Sequence, residues 1–140
     1  MLNFSDLIKD ILNEKEKTFK DLENEKIIEA RTFYHFKEYT PFLPTILKIA
    51  NYLEVSLDYI AGRKNQNSFK KYKADNINFY KNLCEVLQQQ KISKSKLAKD
   101  LHFGRSNFTY WKNGSLPKFL LLIDLANYLN CDIDDFLDRE

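Results

Sequence analysis

The chain has 140 residues, of which 44% are hydrophobic and 14% aromatic, and its formal net charge is +2. This composition excludes a disordered chain, and only three Gly and three Pro favour long helices over a many-stranded β architecture. Two Cys and two His without metal-ligand spacing exclude a convincing metal site, and the longest strongly apolar run, residues 119–123, is far too short to span a bilayer. We therefore expect a folded, all-α, cytoplasmic protein with no metal, no cofactor and no membrane partner.

Five helices are predicted in the first half of the chain. The first carries Phe4, Ile8 and Leu12 on one face, and a capping box from Thr18 to Asp21 opens the second. The third covers about residues 29–38, the fourth begins near Pro41 and Pro44, and the fifth is a short helix over about residues 57–61. Ser56 is predicted to cap that last helix, and Gly62 to end it.

Residues 92–114 of the second half predict two short helices joined by a tight turn. Ser93 is expected to cap the first of them, which turns Leu97 and Ala98 inward, and Gly104 is expected to relieve the backbone of the turn. The next helix, over 105–112, buries only Phe108 and Trp111. Its other face presents hydrogen-bonding and cationic side chains, a pattern suited to a DNA major groove.

The two halves repeat one pattern. Residues 47–63 align with residues 123–139 at an offset of 76, and residues further upstream align at an offset of 75. The matched pairs include Ala50/Ala126, Asn51/Asn127, Tyr52/Tyr128, Leu53/Leu129, Asp58/Asp134, Phe4/Phe79, Leu22/Leu97, Phe33/Phe108 and Phe36/Trp111. A tandem duplication of a five-helix domain follows, with boundaries at 1–63 and 78–140.

The two predicted domains differ in charge. Residues 1–62 hold 8 Lys/Arg and 11 Asp/Glu, a net charge of −3, whereas residues 63–140 hold 14 and 9, a net charge of +5. A polyanion is therefore expected to meet the second half first. Residues 64–77 are predicted to be a solvated basic linker, and the alternative is that Lys70, Lys71 and Lys73 lie along phosphates.

The second copy resembles the lambda-repressor and Cro-like (XRE-type) helix-turn-helix family, and small phage-type repressors of low-GC bacteria in particular. The residues that carry the resemblance are Ile92-Ser93, Leu97-Ala98, the turn over 103–106, TYWKNGSLP over 109–117, LANYL over 125–129 and DIDDFL over 132–137. The resemblance implies sequence-specific binding of double-stranded DNA by a transcriptional regulator, and we expect a repressor. The sequence contains no nucleophile–base pair or phosphate-cradling glycine loop, so we do not expect an enzyme.

The family's binding roles transfer to matching positions of the second copy. Asn107 is expected to pair with adenine edges and Arg105 with guanine or phosphate. The same resemblance places DNA backbone contacts at the start of the preceding helix and after the recognition helix. The complete set of predicted DNA-binding residues is Arg105, Ser106, Asn107, Thr109, Tyr110, Lys94, Ser95, Lys112, Asn113 and Lys118.

The first copy departs from the family pattern. Glu23 stands where the second copy has Ala98, its turn has no glycine, and Glu29 and Glu38 flank its outward face. Arg31, Thr32, Tyr34 and His35 form a second candidate DNA site. The alternative is that this copy is a protein-contact surface, or that the whole chain is an antirepressor-like interaction module that pairs with another regulator.

Two leucines of the second copy do not fit the inward stripe of its fourth helix. Leu120 and Leu121 are predicted to form an exposed apolar patch, and hence an interface either between the copies or between chains. Two arrangements follow. Either the copies pack about a pseudo-twofold axis within one chain, so that they span two half-sites about 34 Å apart, or the chain forms a homodimer that binds DNA through its second copy.

Overall fold

The computed structural model describes residues 4–29, 42–74 and 77–138, and nearly all of the regular structure in these ranges is helical. The elements are α1 (Phe4–Glu14), α2 (Phe19–Asn24), α3 (Leu43–Leu53), α4 (Leu57–Ile60), α5 (Phe79–Gln90), α6 (Lys94–Leu101), α7 (Ser106–Lys112), α8 (Phe119–Leu129) and a C-terminal 3₁₀ helix (Ile133–Phe136). The predicted all-α class is confirmed for these residues. The predicted third helix of the first half, about 29–38, lies almost entirely outside them. Among the described helices, none is long and apolar enough to cross a membrane.

The predicted caps form where the sequence placed them. The Thr18 and Asp21 side chains make a reciprocal capping box at the start of α2, and Ser56 Oγ accepts from the Tyr59 N–H at the start of α4. Ser93 Oγ accepts from the Lys96 N–H and so fixes the start of α6. Asp132 caps the last helix, which is 3₁₀ in form. These caps satisfy backbone donors that have no partner inside a helix.

The tight turn between α6 and α7 is built differently from the expectation. His102, not Gly104, takes the left-handed backbone conformation, with φ of 59°, and its N–H bonds the carbonyls at the end of α6. Lys26 takes the same conformation, with φ of 59°, in the turn after α2. Both turns therefore form without a glycine at the strained position, and the missing glycine of the first half is no obstacle to its turn.

One hydrophobic core contains residues of both halves. Phe4 at the start of α1 is fully buried, and its ring lies edge-on to Phe119 of α8 with the centroids 6.0 Å apart. Leu120 and Leu121 are half-buried rather than exposed, and they pack against this core. The start of α8 is part of the packing that joins the first half to the second, which is one of the two interfaces expected for these leucines.

The last helices of the two halves contact each other through paired backbone and side-chain groups. The Asp58 carboxylate, in α4, accepts from the Ile133 N–H at 3.2 Å. The Tyr72 hydroxyl accepts from the Leu57 N–H at 2.9 Å and donates to the Asp134 carboxylate. The N-termini of the two short helices are therefore joined twice. Asp58 bonds Ile133 directly, and Leu57 is linked to Asp134 through the Tyr72 hydroxyl.

Arg63 extends this contact between the halves. Its guanidinium pairs with the buried Asp58 carboxylate, and it also donates to Asn127 Oδ1 at 2.7 Å and to the Cys131 carbonyl at 2.8 Å. The side chain of Asp58 is only 2% exposed.

Burial raises the pKa of the neighbouring Cys131 thiol to about 11, which keeps it protonated at neutral pH.

The segment that joins the halves is anchored at Tyr72, although most of the residues described between 64 and 74 are exposed, as expected of a linker. Tyr72 is 1% exposed, and its backbone N–H and carbonyl both hydrogen-bond the side chain of Asn51. The Asn67 side chain likewise bonds the backbone of Glu54 and Ser56. The polar sequence did not predict this packing, because it depends on a single buried aromatic residue and on hydrogen bonds from asparagine side chains to the backbone. Lys70, Lys71 and Lys73 themselves remain exposed.

Candidate nucleic-acid interface

An aromatic cluster fixes the position of α7. Phe108 and Trp111 are 7% and 5% exposed, and both rings contact Phe103 of the preceding turn, at centroid distances of 5.6 and 5.4 Å. Trp111 also meets Phe79 of α5 edge-on at 5.3 Å. The two inward residues named from the sequence therefore hold the helix, and Phe79 supplies the surface on which it sits.

The remaining side chains of α7 face outward. Ser106, Thr109 and Lys112 are exposed, Tyr110 is 59% exposed, and Asn107 is half-buried. Arg105 is exposed and precedes the helix as its N-cap residue, so the helix begins one residue later than predicted. The helix is thus held at two aromatic positions and presents a polar outer face.

Lys94 at the start of α6 is held by Tyr80 of α5. The Lys94 ammonium donates to the Tyr80 hydroxyl at 2.5 Å and lies 4.9 Å from the centroid of the same ring. This hydrogen bond raises the pKa of Lys94, outweighing partial burial, which lowers it. The lysine therefore stays charged at neutral pH. The neighbouring Ser95 is exposed.

A cleft of about 510 Å³ brings several of the predicted DNA-binding residues together. Its lining consists of Tyr80, Lys94, Arg105, Ser106, Phe108, Thr109 and Lys112, and contains no carboxylate among the residues that the structure describes. Three cations and three hydroxyl-bearing side chains, from three helices and a turn, thus line one opening. Such a surface attracts phosphate groups, because nothing in its lining opposes the positive charge.

Other predicted residues lie away from this cleft. Lys118 lines a second cleft, of about 580 Å³, between the start of α3 and the loop that leads to α8. Asn113 is exposed at the end of α7. The second candidate site, Arg31, Thr32, Tyr34 and His35, lies outside the described residues.

Tyr80 is the lining residue that the sequence did not identify. It precedes Lys94 by 14 residues on a different helix, and no spacing rule connects the two positions. The sequence signal is limited to its place beside the inward-facing Phe79, which puts it at the edge of the core. Only the packing of α5 against α6 shows that the hydroxyl reaches the lysine.

A second polar network secures α6 on its other side. The Asp100 carboxylate accepts from the Tyr128 hydroxyl of α8 and from the Lys96 ammonium at 3.2 Å. These two hydrogen bonds lower the pKa of Asp100, and the bond to Asp100 raises the pKa of Tyr128. Lys96 is therefore paired with a carboxylate, whereas Lys94 donates to a hydroxyl.

Comparison with known proteins gives one match. Residues 82–140 match the family model described as the Cro/C1-type HTH DNA-binding domain. Neither a search of curated proteins nor a search of solved structures gave a match. The second half, from within α5 onward, is thus similar to Cro/C1-type helix-turn-helix domains, in agreement with the resemblance stated from the sequence. The family match does not extend to the first half.

Proposed function

We propose that this protein is a sequence-specific regulator of transcription that binds double-stranded DNA and acts as a repressor. The observation that carries the proposal is the arrangement of α7, which is held by Phe108 and Trp111 while Arg105 and the polar residues of its outer face line or flank a cleft without carboxylates. The similarity of residues 82–140 to a DNA-binding domain supports it independently.

In this proposal α7 enters the major groove. Asn107 pairs with an adenine edge, and Arg105 pairs with a guanine or a phosphate. Lys94, Ser95, Asn113 and Lys118 contact the DNA backbone and fix the orientation of the helix without selecting sequence.

The experiment is selection of duplexes from a randomised pool, followed by fluorescence anisotropy of the selected duplex across salt concentrations. Arg105→Ala/Asn107→Ala is expected to lose discrimination between the selected and a scrambled duplex, by about tenfold or more, because each good base contact contributes about 1–3 kcal/mol. The control is Lys9→Ala/Asn13→Ala, which likewise removes one cationic side chain and one asparagine, from exposed positions of α1. Equal loss in both variants, or no binding by the unmodified protein at low salt, would refute the proposal.

We further propose that the two halves are tandem copies arranged about a pseudo-twofold axis. The supporting observation is the pair of reciprocal contacts, in which residue 58 meets residue 133 and residue 57 reaches residue 134 through Tyr72. Since 57 corresponds to 133 and 58 to 134 at the offset of 76, the contact is of the self-complementary kind found in twofold dimers. In addition, α3 and α8 have the same length and start 76 residues apart.

This arrangement predicts a monomer that binds one duplex. Light scattering should give the mass of one chain, and titration should give one chain per selected site. A homodimer that binds DNA through two second halves would give twice that mass. Arg31→Ala/His35→Ala then reports on the first half: weakened binding supports two half-sites, and unchanged binding assigns DNA contact to the second half alone.

A second candidate function is a protein-interaction module that pairs with another regulator. The observation in its favour is the acidic surface of the first half, where Asp6, Asp10, Glu14, Glu16, Glu25 and Glu29 are all exposed. Such a surface repels DNA and suits a basic partner. This function would be supported if the unmodified protein bound no duplex but reduced DNA binding by a second regulator in the same assay.

A further inference from the structure

Two lysines of α6 have partners of different charge. Lys96 pairs with the Asp100 carboxylate, whereas Lys94 donates to a hydroxyl group, that of Tyr80. A neutral acceptor restricts a lysine side chain without cancelling its positive charge. Because Tyr80 already restricts the Lys94 side chain, Lys94 loses less conformational entropy when it binds an anion. The positive charge of Lys94 remains available to that anion.

The cleft determines where that charge is presented. Its lining includes Tyr80 of α5 and Lys94 of α6, together with Arg105 before α7 and Ser106, Thr109 and Lys112 of α7. An anion that enters the cleft meets the Lys94 ammonium together with the side chains at the start of α7. The group that matches this chemistry is a single phosphate that lies beside the groove occupied by α7.

We propose that Tyr80 is a positioning residue which holds Lys94 so that it binds one backbone phosphate of duplex DNA in the cleft between α5 and α7. The proposal rests on the DNA-binding function proposed above and adds a residue that neither the family match nor the sequence assigned. Tyr80 acts through Lys94, and the phosphate contact itself belongs to Lys94.

The test is Tyr80→Phe in the complete chain, measured by anisotropy on the selected duplex and on a scrambled duplex. The substitution keeps the ring and its packing and removes only the hydroxyl. We expect affinity to fall about fivefold on both duplexes, because a phosphate contact carries no sequence information. The slope of log K against log salt should become shallower by about one, as for loss of one phosphate contact.

Two further variants separate positioning from a general structural effect. Lys94→Met removes the charge and keeps the aliphatic stem, so it should weaken binding at least as much as Tyr80→Phe. Adding Tyr80→Phe to Lys94→Met should cause no further loss, since the hydroxyl acts only through the lysine. Tyr128→Phe is the matched control: it removes a hydroxyl that bonds Asp100 and does not line the cleft, and it should leave the salt slope unchanged.

The outcomes distinguish the two proposals. If Tyr80→Phe leaves affinity and salt slope unchanged while Arg105→Ala/Asn107→Ala abolishes discrimination, the role of Tyr80 is refuted and the DNA-binding function stands. Tighter binding by Tyr80→Phe would mean that Tyr80 withholds Lys94 from DNA and would also refute it. If the unmodified protein binds no duplex, both proposals fail.

The phosphate source is tested with inorganic phosphate alone. Calorimetric titration of the unmodified protein is expected to show no saturable binding at millimolar phosphate, because the open cleft needs the other DNA contacts to hold the group. Saturable binding that disappears in Tyr80→Phe would identify a free-phosphate site and overturn the assignment to duplex DNA.

Discussion

Replacement of Asp58 by alanine is expected to lower the free energy of unfolding and to make the two halves unfold in separate transitions. Asp58 is 2% exposed, pairs with Arg63 and accepts from the Ile133 N–H. Its removal leaves a guanidinium that is 17% exposed and a buried amide without their common acceptor. Breaking a buried ion pair from one side costs about 3–5 kcal/mol, since the remaining charge stays buried.

The lower part of that range applies here. Arg63 retains its hydrogen bonds to Asn127 and to the Cys131 carbonyl, so its charge keeps polar neighbours in the variant. We therefore expect a loss of about 3 kcal/mol in the free energy of unfolding, a large part of the 5–15 kcal/mol typical of a domain. For a chain of this size that loss corresponds to a fall in Tm of about 10 °C.

Urea unfolding followed by both circular dichroism and Trp111 fluorescence is the appropriate assay. In the unmodified protein the two transitions should coincide, because one core contains residues of both halves. Asp58→Asn keeps an oxygen for the Ile133 amide and should lose less stability than Asp58→Ala. In the alanine variant the fluorescence transition of the second half is expected to depart from the circular dichroism transition of the whole chain.

The control lies in the same contact between the halves. Lys64 and Asp132 form an ion pair at 2.8 Å, and both side chains are more than 40% exposed. Lys64→Ala should therefore change stability very little, because water replaces the lost partner. If Asp58→Ala costs no more than Lys64→Ala, the reasoning that burial makes this contact essential is refuted.

Two further predictions concern the backbone and pH. Gly104→Ala should leave stability unchanged or raise it by up to about 1 kcal/mol, because the added Cβ meets only Ser106 Oγ at 3.6 Å. Gly62→Ala should lower stability, because Gly62 has a φ of 74°, which strains any residue with a side chain. Thermal unfolding that ranks the two variants the other way would contradict this. Burial raises the pKa of Asp138, but hydrogen bonds from Asn78 and Asn82 outweigh burial, so the pKa of this carboxyl is lowered in the folded protein. The carboxylate therefore contributes its full stabilisation above the unfolded pKa of about 3.9, and this stabilisation is lost as pH falls through the lower folded pKa. Urea unfolding at pH 6 and about pH 3 should show a smaller pH dependence for Asp138→Asn than for the unmodified protein, and an equal dependence would exclude this carboxylate as a source.

Local signals in the sequence predicted much of the helical structure. The capping residues Thr18, Ser56, Ser93 and Asp132 act on backbone groups three residues away, so their effect does not depend on the rest of the fold. The inward positions of Phe108 and Trp111 likewise follow from helical spacing. Prediction succeeded at these positions because the interacting groups are neighbours in the chain.

Three details were not predicted from the sequence, and two of them depend on distant parts of the chain. The joining segment looked solvated, but Tyr72 inserts between residues of both halves. Leu120 and Leu121 looked exposed, but they pack against a core that also contains residues of the first half. The turn after α6 uses His102 rather than the glycine, and composition alone does not identify which residue of a turn takes positive φ.

The sequence by itself determined the helical class, the caps, the inward face of α7 and the cationic character of the second half, since each depends on residue type and short-range spacing. Only the tertiary structure decided that Tyr80 restrains Lys94 beside α7 and that Asp58, Arg63 and Tyr72 join the two halves. These contacts connect residues on different elements, and a hydrogen bond of about 3 Å depends on how whole helices pack. No residue spacing in the sequence predicts which of these groups come within hydrogen-bonding distance.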